Sequence, residues 1–298
     1  MLAFNTKIEK ISTHHAYVCY FFAYSAINID IPLFLNYKFV YLQKYIAYKM
    51  KITILQRDIE WGNIALNIER ANQAIDRNAG SDLYVLPEMF STGFCTQPEE
   101  VAECEGGSAL EWMVSKSAQI GAAIAGSVVV SEDGKYYNRF YFVTPDGGIT
   151  RYDKHHLFTY GGEHHHFTAG NERCVVEYKG VRIMLQICYD LRFPVWVRNR
   201  GDYDMIIYVA SWPIPRIDVW RTLLLARAIE NQCYVVGVNR VGTDPSCEYC
   251  GGSVIVDPYG KHIAKCPDFE ETEATAEIDM QILNDFRAKF PVLRDADI

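Results

Sequence analysis

The first 49 residues of this 298-residue chain contain no glycine, and the chain nowhere carries an uninterrupted apolar run long enough to cross a bilayer. Its most apolar early stretch, Ala16 to Leu35, is broken by Asn28, Asp30 and Pro32, so no membrane partner is expected. Positive charge is also in deficit: 29 Lys and Arg face 37 Asp and Glu, for a formal net charge of −8. That balance argues against nucleic acid as a partner, because a phosphate backbone calls for a basic patch. Neither Gly-x-Gly-x-x-Gly nor a Walker lysine loop occurs, which leaves a nucleotide-binding role without support. The nine cysteines are odd in number and spread from Cys19 to Cys266. This is the usage of a reduced, cytoplasmic protein and not of a disulfide scaffold.

Aromatic residues are plentiful in that glycine-free segment, with Tyr17, Tyr20, Phe21, Phe22 and Tyr24 followed by Phe34, Tyr37, Phe39, Tyr41, Tyr45 and Tyr48. Residues 1–49 are expected to be an extension outside the native domain; a weak anchor, a signal peptide and a structural arm are the alternatives. A new register opens at Met50, where Met50 to Gln56 reads as a buried strand. Ile64, Ile68, Ala71 and Ile75 then recur at helical spacing, with Gly80 beyond. Asp82 to Leu86 is a second apolar strand. Ser108 to Glu111 matches a capping box opening a helix to about Ile120, stopped by Gly121.

Strands are expected over Ala122 to Ser131, Arg139 to Thr144 and Ile149 to Tyr152, joined by turns at Asp133-Gly134 and Pro145 to Gly148. A hairpin follows about Lys179-Gly180, between Cys174 to Tyr178 and Val181 to Ile187. Then come a strand at Met205 to Ala210, a helix at Ile217 to Gln232, and strands at Tyr234 to Asn239, Ser253 to Val256 and Ala274 to Ile278. No Gly/Ser/Pro-rich linker or short-period repeat divides residues 50–298. One mixed α/β domain with helices covering sheets is expected, large enough to bury a core without disulfides.

Three strand ends carry reactive groups. Glu88 follows a buried strand in Val85-Leu86-Pro87-Glu88, Lys154 ends another in Tyr152-Asp153-Lys154, and Cys188 ends Met184 to Ile187 ahead of an expected helix. Loops at strand ends are held by a rigid sheet, and a helix start favours a thiolate. Taken singly, each has a plain alternative. Cys188 could be a core thiol, Glu88 a helix-start carboxylate, and Lys154 a solvated surface charge.

Taken together and in order, the three segments resemble the nitrilase, or carbon–nitrogen hydrolase, superfamily. The resemblance lies in Leu86-Pro87-Glu88-Met89-Phe90-Ser91-Thr92-Gly93, Tyr152 to Phe158, and Gln186-Ile187-Cys188-Tyr189-Asp190-Leu191-Arg192-Phe193-Pro194, and it extends from Met50 to the C-terminus. Ser211-Trp212-Pro213, Trp220, Arg227 to Asn231 and Asn239 to Gly242 look most like its ω-amidase branch. The resemblance implies a four-layer αββα sandwich, no metal or organic cofactor, and a homodimer or larger homo-oligomer. It also implies hydrolysis of the terminal amide of a small carboxylate such as 2-oxoglutaramate.

In that reading Cys188 is the nucleophile, Glu88 the general base, and Lys154 with the Tyr189 backbone N–H the oxyanion holder. Glu163, in Gly161-Gly162-Glu163-His164, matches the family's second glutamate. Arg192 is the candidate for the substrate carboxylate, with a salt-bridged helix arginine as the alternative. Tyr160, Trp212 and Asp190 are candidate pocket residues, and Asp190 could equally be a structural cap.

The residues also admit other readings. His155, His156 and His164 to His166 suggest a metal, but contiguous histidines rarely ligate one ion and no spaced partner set accompanies them. Pro245-Ser246-Cys247-Glu248-Tyr249-Cys250 departs from the zinc-deaminase pattern at Ser246, and no His-x-Glu segment exists. As a redox pair it sits far from a first βαβ unit. A non-catalytic binding protein of the same fold would be expected to have lost Glu88, Lys154 or Cys188. Other enzyme branches remain as alternatives: an N-carbamoyl amino acid amidohydrolase, or an aliphatic nitrilase, in which the family usually carries Cys-Trp-Glu where this chain has Cys188-Tyr189-Asp190.

Overall fold

The structure, a computed structural model, describes residues 49–296. The expected N-terminal extension therefore lies, apart from Lys49, outside the described residues. Along the chain come β1 (Lys49–Gln56), α1 (Ile64–Arg77), β2 (Leu83–Val85), the short β3 (Glu103–Cys104), α2 (Ser108–Ile120), β4 (Ala123–Glu132), β5 (Lys135–Val143) and β6 (Ile149–Asp153). Next are β7 (Val175–Tyr178), β8 (Val181–Ile187), the one-turn α3 (Pro194–Val197), β9 (Met205–Ala210), α4 (Ile217–Asn231) and β10 (Tyr234–Asn239). The chain finishes with β11 (Val241–Thr243), β12 (Glu248–Cys250), β13 (Val254–Val256), β14 (His262–Lys265), β15 (Thr272–Asp279) and α5 (Met280–Lys289).

Two sheets result. One runs β15-β1-β2-β4-β5-β6, with β3 beside β4; the other runs β14-β13-β10-β9-β8-β7. The period-2 geometry of a strand explains how they stack. In β9, Met205, Ile207 and Val209 face the other sheet, where they meet Ile52, Ile54, Val85 and Phe142. Ile206, Tyr208 and Ala210 point the opposite way, onto Trp220, Leu224 and Ala228 of α4. Because both faces are covered, the strand reads as one apolar run. On the outer side of the first sheet, Leu55, Tyr84 and Ile124 pack on Ala74 and Ile75 of α1 and Met113 of α2. Helix, sheet, sheet and helix make a four-layer αββα sandwich. At Gly237 in β10 a Cβ would stand 2.5 Å from Leu224 Cδ1, so only glycine lets α4 lie this close.

Most expected elements form within a residue or two of their expected bounds. Gly121 closes α2 in the left-handed region at φ +65°, its N–H donating to the Ser117 carbonyl. The capping box at Ser108 does not form. Gly107 occupies the N-cap, and the Ser108 hydroxyl donates instead to Glu103 Oε1 at 2.5 Å, a carboxylate that also takes the Ala109 N–H. The helix expected after Cys188 is a 3₁₀ turn, Cys188–Arg192, leading into a single α-turn. The last helix, α5, was not expected. It docks through Arg287, which donates to Asp204 Oδ1 at 2.7 Å and to the carbonyls of Tyr203 and Gln232.

Asp204 is buried and also accepts from the Nε and Nη2 of Arg182. Burial would raise its pKa, but the two guanidiniums hold the carboxyl below its ordinary 3.8. A lowered acid pKa stabilises the fold above the unfolded value, and that stabilisation is lost as pH falls through the folded one. Asp204→Asn should therefore cost about 2 kcal/mol at pH 7, half-exposed Arg182 being partly screened. The deficit should shrink as pH falls below about 4. Urea midpoints of both proteins across pH 3–8 check this, and a pH-independent gap would contradict the charge argument.

Candidate active site

Three strand ends converge on one small volume. Glu88 follows β2, and its neighbour Met89 sits at φ +46°. Lys154 follows β6. Cys188 follows β8 with φ +44°, a left-handed conformation that costs a non-glycine residue of order 1–3 kcal/mol. The turn at Cys188 is held by Asp190, which is fully buried. Its carboxylate accepts the Ile187 N–H at 3.0 Å, the Tyr152 hydroxyl at 2.8 Å and the His156 N–H at 2.9 Å. His156 also stacks on Phe193 at 3.7 Å, and His155 stacks on Trp196 at 3.6 Å. The paired histidines thus clamp the lysine-bearing segment to the cysteine-bearing one.

Lys154 is 1 % exposed and its ammonium lies between two carboxylates, 3.0 Å from Glu88 Oε1 and 2.9 Å from Glu163 Oε2. Each carboxylate is fixed from behind. Glu88 Oε2 takes the Ser211 N–H at 2.8 Å, and Glu163 Oε2 takes the Phe158 N–H at 2.6 Å. Asn138, buried in β5, donates to Glu88 Oε1 at 2.8 Å and reaches Glu163 Oε1 at 3.4 Å. Ser211 owes its place to Asn239, whose side chain binds both the N–H and the carbonyl of Trp212.

Burial pushes the Lys154 pKa down, but Glu163, Glu88 and Cys188 outweigh it and the net shift is upward. Burial raises Glu163, with Lys154 opposing. Burial and the Glu88 charge raise the Cys188 thiol well above its ordinary value, against the lowering effects of Lys154 and the Ser211 N–H. The expectation that a helix start would favour the thiolate is therefore overturned. The 3₁₀ turn provides only a weak dipole, and desolvation beside a carboxylate dominates. A protonated thiol beside a carboxylate can lose its proton to that group as it attacks, and a buried ammonium can hold an oxyanion.

Lys154 and Cys188 lie at a cavity of about 650 Å³ that is also lined by Tyr160, Tyr189, Arg192 and Trp212. Asp190 does not reach it. Its hydrogen bonds are all structural, so the capping alternative holds and a pocket role does not. Arg192 lies over Trp212 at 5.2 Å and has no ion pair among the described residues, which removes the salt-bridged alternative. Cys247 also lines the cavity, while Cys250 is buried. His166 pairs with Glu99 at 2.8 Å. Sequence reasoning missed Asn138, Phe94, Phe158 and Arg216. Only Asn138 leaves a signal, a lone amide within an apolar strand.

Residues 51–288 match the family model for carbon-nitrogen hydrolases. The omega-amidase YafV of Escherichia coli (strain K12) is 44% identical over 249 residues, covering 83% of this chain and 97% of that protein. The 2-oxoglutaramate amidase of Bacillus subtilis (strain 168) is 39% identical over 253 residues, with the same coverage. Among solved structures, XC1258 of Xanthomonas campestris, a CN-hydrolase superfamily protein with an arsenic adduct in its active site, superposes with a TM-score of 0.82. It shares 41% identity over 84% of this chain and 98% of that one. Saccharomyces cerevisiae Nit3, at 24% identity and a TM-score of 0.74 over 82% of this chain and 95% of its own, shares the fold.

A raised thiol pKa means that the proton is retained through the neutral range. The thiolate absorbance near 240 nm, taken as wild type minus Cys188→Ala, should stay flat up to the ordinary 9.0. A step at neutral pH would show a resting ion pair instead.

Proposed function

The chain belongs to the carbon-nitrogen hydrolase family, a hydrolase acting on amides, and on that footing we propose that it is a thiol-dependent ω-amidase that releases ammonia from the terminal amide of a small carboxylate such as 2-oxoglutaramate. The observation that carries this reading is the buried Glu88–Lys154–Glu163 network beside Cys188, at a cavity that also presents an unpaired guanidinium. The named activities of the Escherichia coli and Bacillus subtilis relatives support the same substrate class.

The steps follow from the groups. Cys188 Sγ bonds to the amide carbon while its proton passes to Glu88. The carbonyl oxygen gains charge and is held by Lys154 Nζ and the Tyr189 backbone N–H. Glu88 returns the proton to the amide nitrogen, the C–N bond breaks, and ammonia leaves a thioester on Cys188. Glu88 then takes a proton from water, whose oxygen attacks the thioester carbon, and the C–S bond breaks as Glu88 returns that proton to Sγ, giving the acid and the free thiol. Glu163 keeps Lys154 charged and in place, and Arg192 binds the substrate carboxylate. Asn138 sets the spacing of the two carboxylates.

The same proposal includes a reducing, cytoplasmic setting, supported by eight unpaired cysteines among the described residues. It includes self-association too. Tyr259 packs at a tilt on Phe286 at 4.1 Å, and with exposed Ile229 and Phe290 it leaves apolar surface uncovered.

Ammonia release from 2-oxoglutaramate tests the reading. Cys188→Ala should abolish it with the fold intact. Glu88→Gln should lower kcat by about 10²–10⁴-fold, and Lys154→Met by at least about 10²-fold. Unchanged turnover in Cys188→Ala would refute the assignment.

A further inference from the structure

The cavity holds a second guanidinium, one that the proposed mechanism does not use. Arg216 ends the 3₁₀ turn Ile214–Arg216 just ahead of α4, and its side chain lines the same cavity as Lys154, Cys188 and Arg192. Its guanidinium lies 5.3 Å from the Phe158 ring centre, and Phe158 meets Tyr189, the residue after the cysteine, at 5.2 Å. Its backbone is pinned: the Arg216 carbonyl accepts the Trp212 indole N–H at 2.7 Å, and Trp212 in turn lies under Arg192. The two arginines are thus mounted on one connected pair of loops.

They also differ from the paired arginines of the fold, and of the unpaired ones they alone line the cavity that holds Lys154 and Cys188. Arg57, Arg139, Arg182, Arg227 and Arg287 each meet a carboxylate within 2.9 Å. Among the described residues, neither Arg192 nor Arg216 has an ion pair or a side-chain hydrogen bond to the protein. Of the carboxylates on the cavity wall, Glu99 is paired with His166, and Glu100 is exposed. Two unpaired guanidiniums on one cavity form a site for a ligand with more acceptors than one carboxylate offers. One guanidinium takes a carboxylate through two parallel N–H bonds. The second needs another oxygen acceptor close by, and a 2-oxo group beside the carboxylate supplies it. A 2-amino group at the same carbon would instead bring an ammonium against a guanidinium.

We propose that Arg216 is a specificity-determining residue that binds the 2-oxo oxygen and excludes the 2-ammonium, so that the pocket selects 2-oxo acid amides over amino acid amides. This rests on the ω-amidase reading above and refines it.

The test compares three amides of one chain length: 2-oxoglutaramate, glutaramate (a methylene in place of the 2-oxo group) and glutamine. Wild type should rank them in that order. In Arg216→Met, KM for 2-oxoglutaramate should rise about 10- to 100-fold with kcat within a few-fold, as expected for loss of a charge-assisted hydrogen bond. KM for glutaramate should change less than about 3-fold, and the 2-oxoglutaramate-to-glutamine ratio of kcat/KM should fall at least tenfold. Arg216→Lys, which keeps the charge, should restore part of the discrimination. An unchanged ratio in Arg216→Met, or equal losses on 2-oxoglutaramate and glutaramate, would overturn the inference while leaving the amidase reading intact. Failure of wild type to release ammonia from any of the three would overturn the amidase reading, and the inference with it.

Discussion

One ammonium buried between two carboxylates is the constraint around which the rest of this molecule is arranged. Lys154, Glu88 and Glu163 are all but inaccessible to solvent, and moving three charges out of water is costly unless every lone pair and N–H finds a partner. The fold meets that demand from four separate segments, those of Glu88, Asn138, Lys154 to Glu163, and Ser211. Backbone N–H groups come from Ser211 and Phe158, the amide from Asn138, and the ammonium from Lys154 itself. None of these is near another in sequence except Lys154, Phe158 and Glu163. Four layers and two well-packed sheets are what it takes to hold such distant donors to within a few tenths of an ångström.

The strained backbone belongs to the same arrangement. Met89 and Cys188, each at or beside a reactive group, are left-handed without being glycine. Such conformations persist only where the surroundings over-determine them. Asp190 does this for the cysteine turn, gathering the Ile187 N–H, the Tyr152 hydroxyl and His156 on one buried carboxylate. The Ser127 hydroxyl does it for the other turn, accepting the Met89 N–H at 2.9 Å. The partly buried thiol is thereby carried to the cavity wall beside Glu88, where desolvation and that charge raise its pKa.

How much of this was legible in the sequence follows from which interactions are local. Strands covered on both faces, such as Met205–Ala210 and Tyr234–Asn239, announce themselves as apolar runs, and their bounds were read to the residue. Glu88 and Cys188 were legible because each ends such a run, whereas Lys154 ends the half-exposed β6 and was legible only through the segment around it. Asp190 was legible only as a choice between cap and pocket, since its partners come from two segments. The Ser108 capping box failed because Glu103, from outside the helix, competes for the same N-terminal donors. Helix α5 is short, and it buries only Met280 and Leu283 while Arg287 anchors it on distant Asp204, too few apolar positions for periodicity to reveal. Arg216 sits in a proline-flanked turn whose only message in sequence is irregularity.

The charge of the site also explains why selectivity must come from the loops. With both carboxylates ionised, the trio carries one net negative charge at the cavity floor. A substrate carboxylate about 6 Å from it would be repelled by roughly 3 kcal/mol at the effective dielectric of a protein site. The positive charge that can offset this repulsion on the cavity wall comes from the guanidiniums of Arg192 and Arg216. Their placement decides where an anion can rest. It is set by the segments bearing Arg192, Trp212 and Arg216, which the chemistry of the trio does not constrain beyond Ser211. Substitutions in those segments can change the preferred amide without disturbing the buried ammonium, so the carbon–nitrogen chemistry and the choice of substrate are separable in this fold.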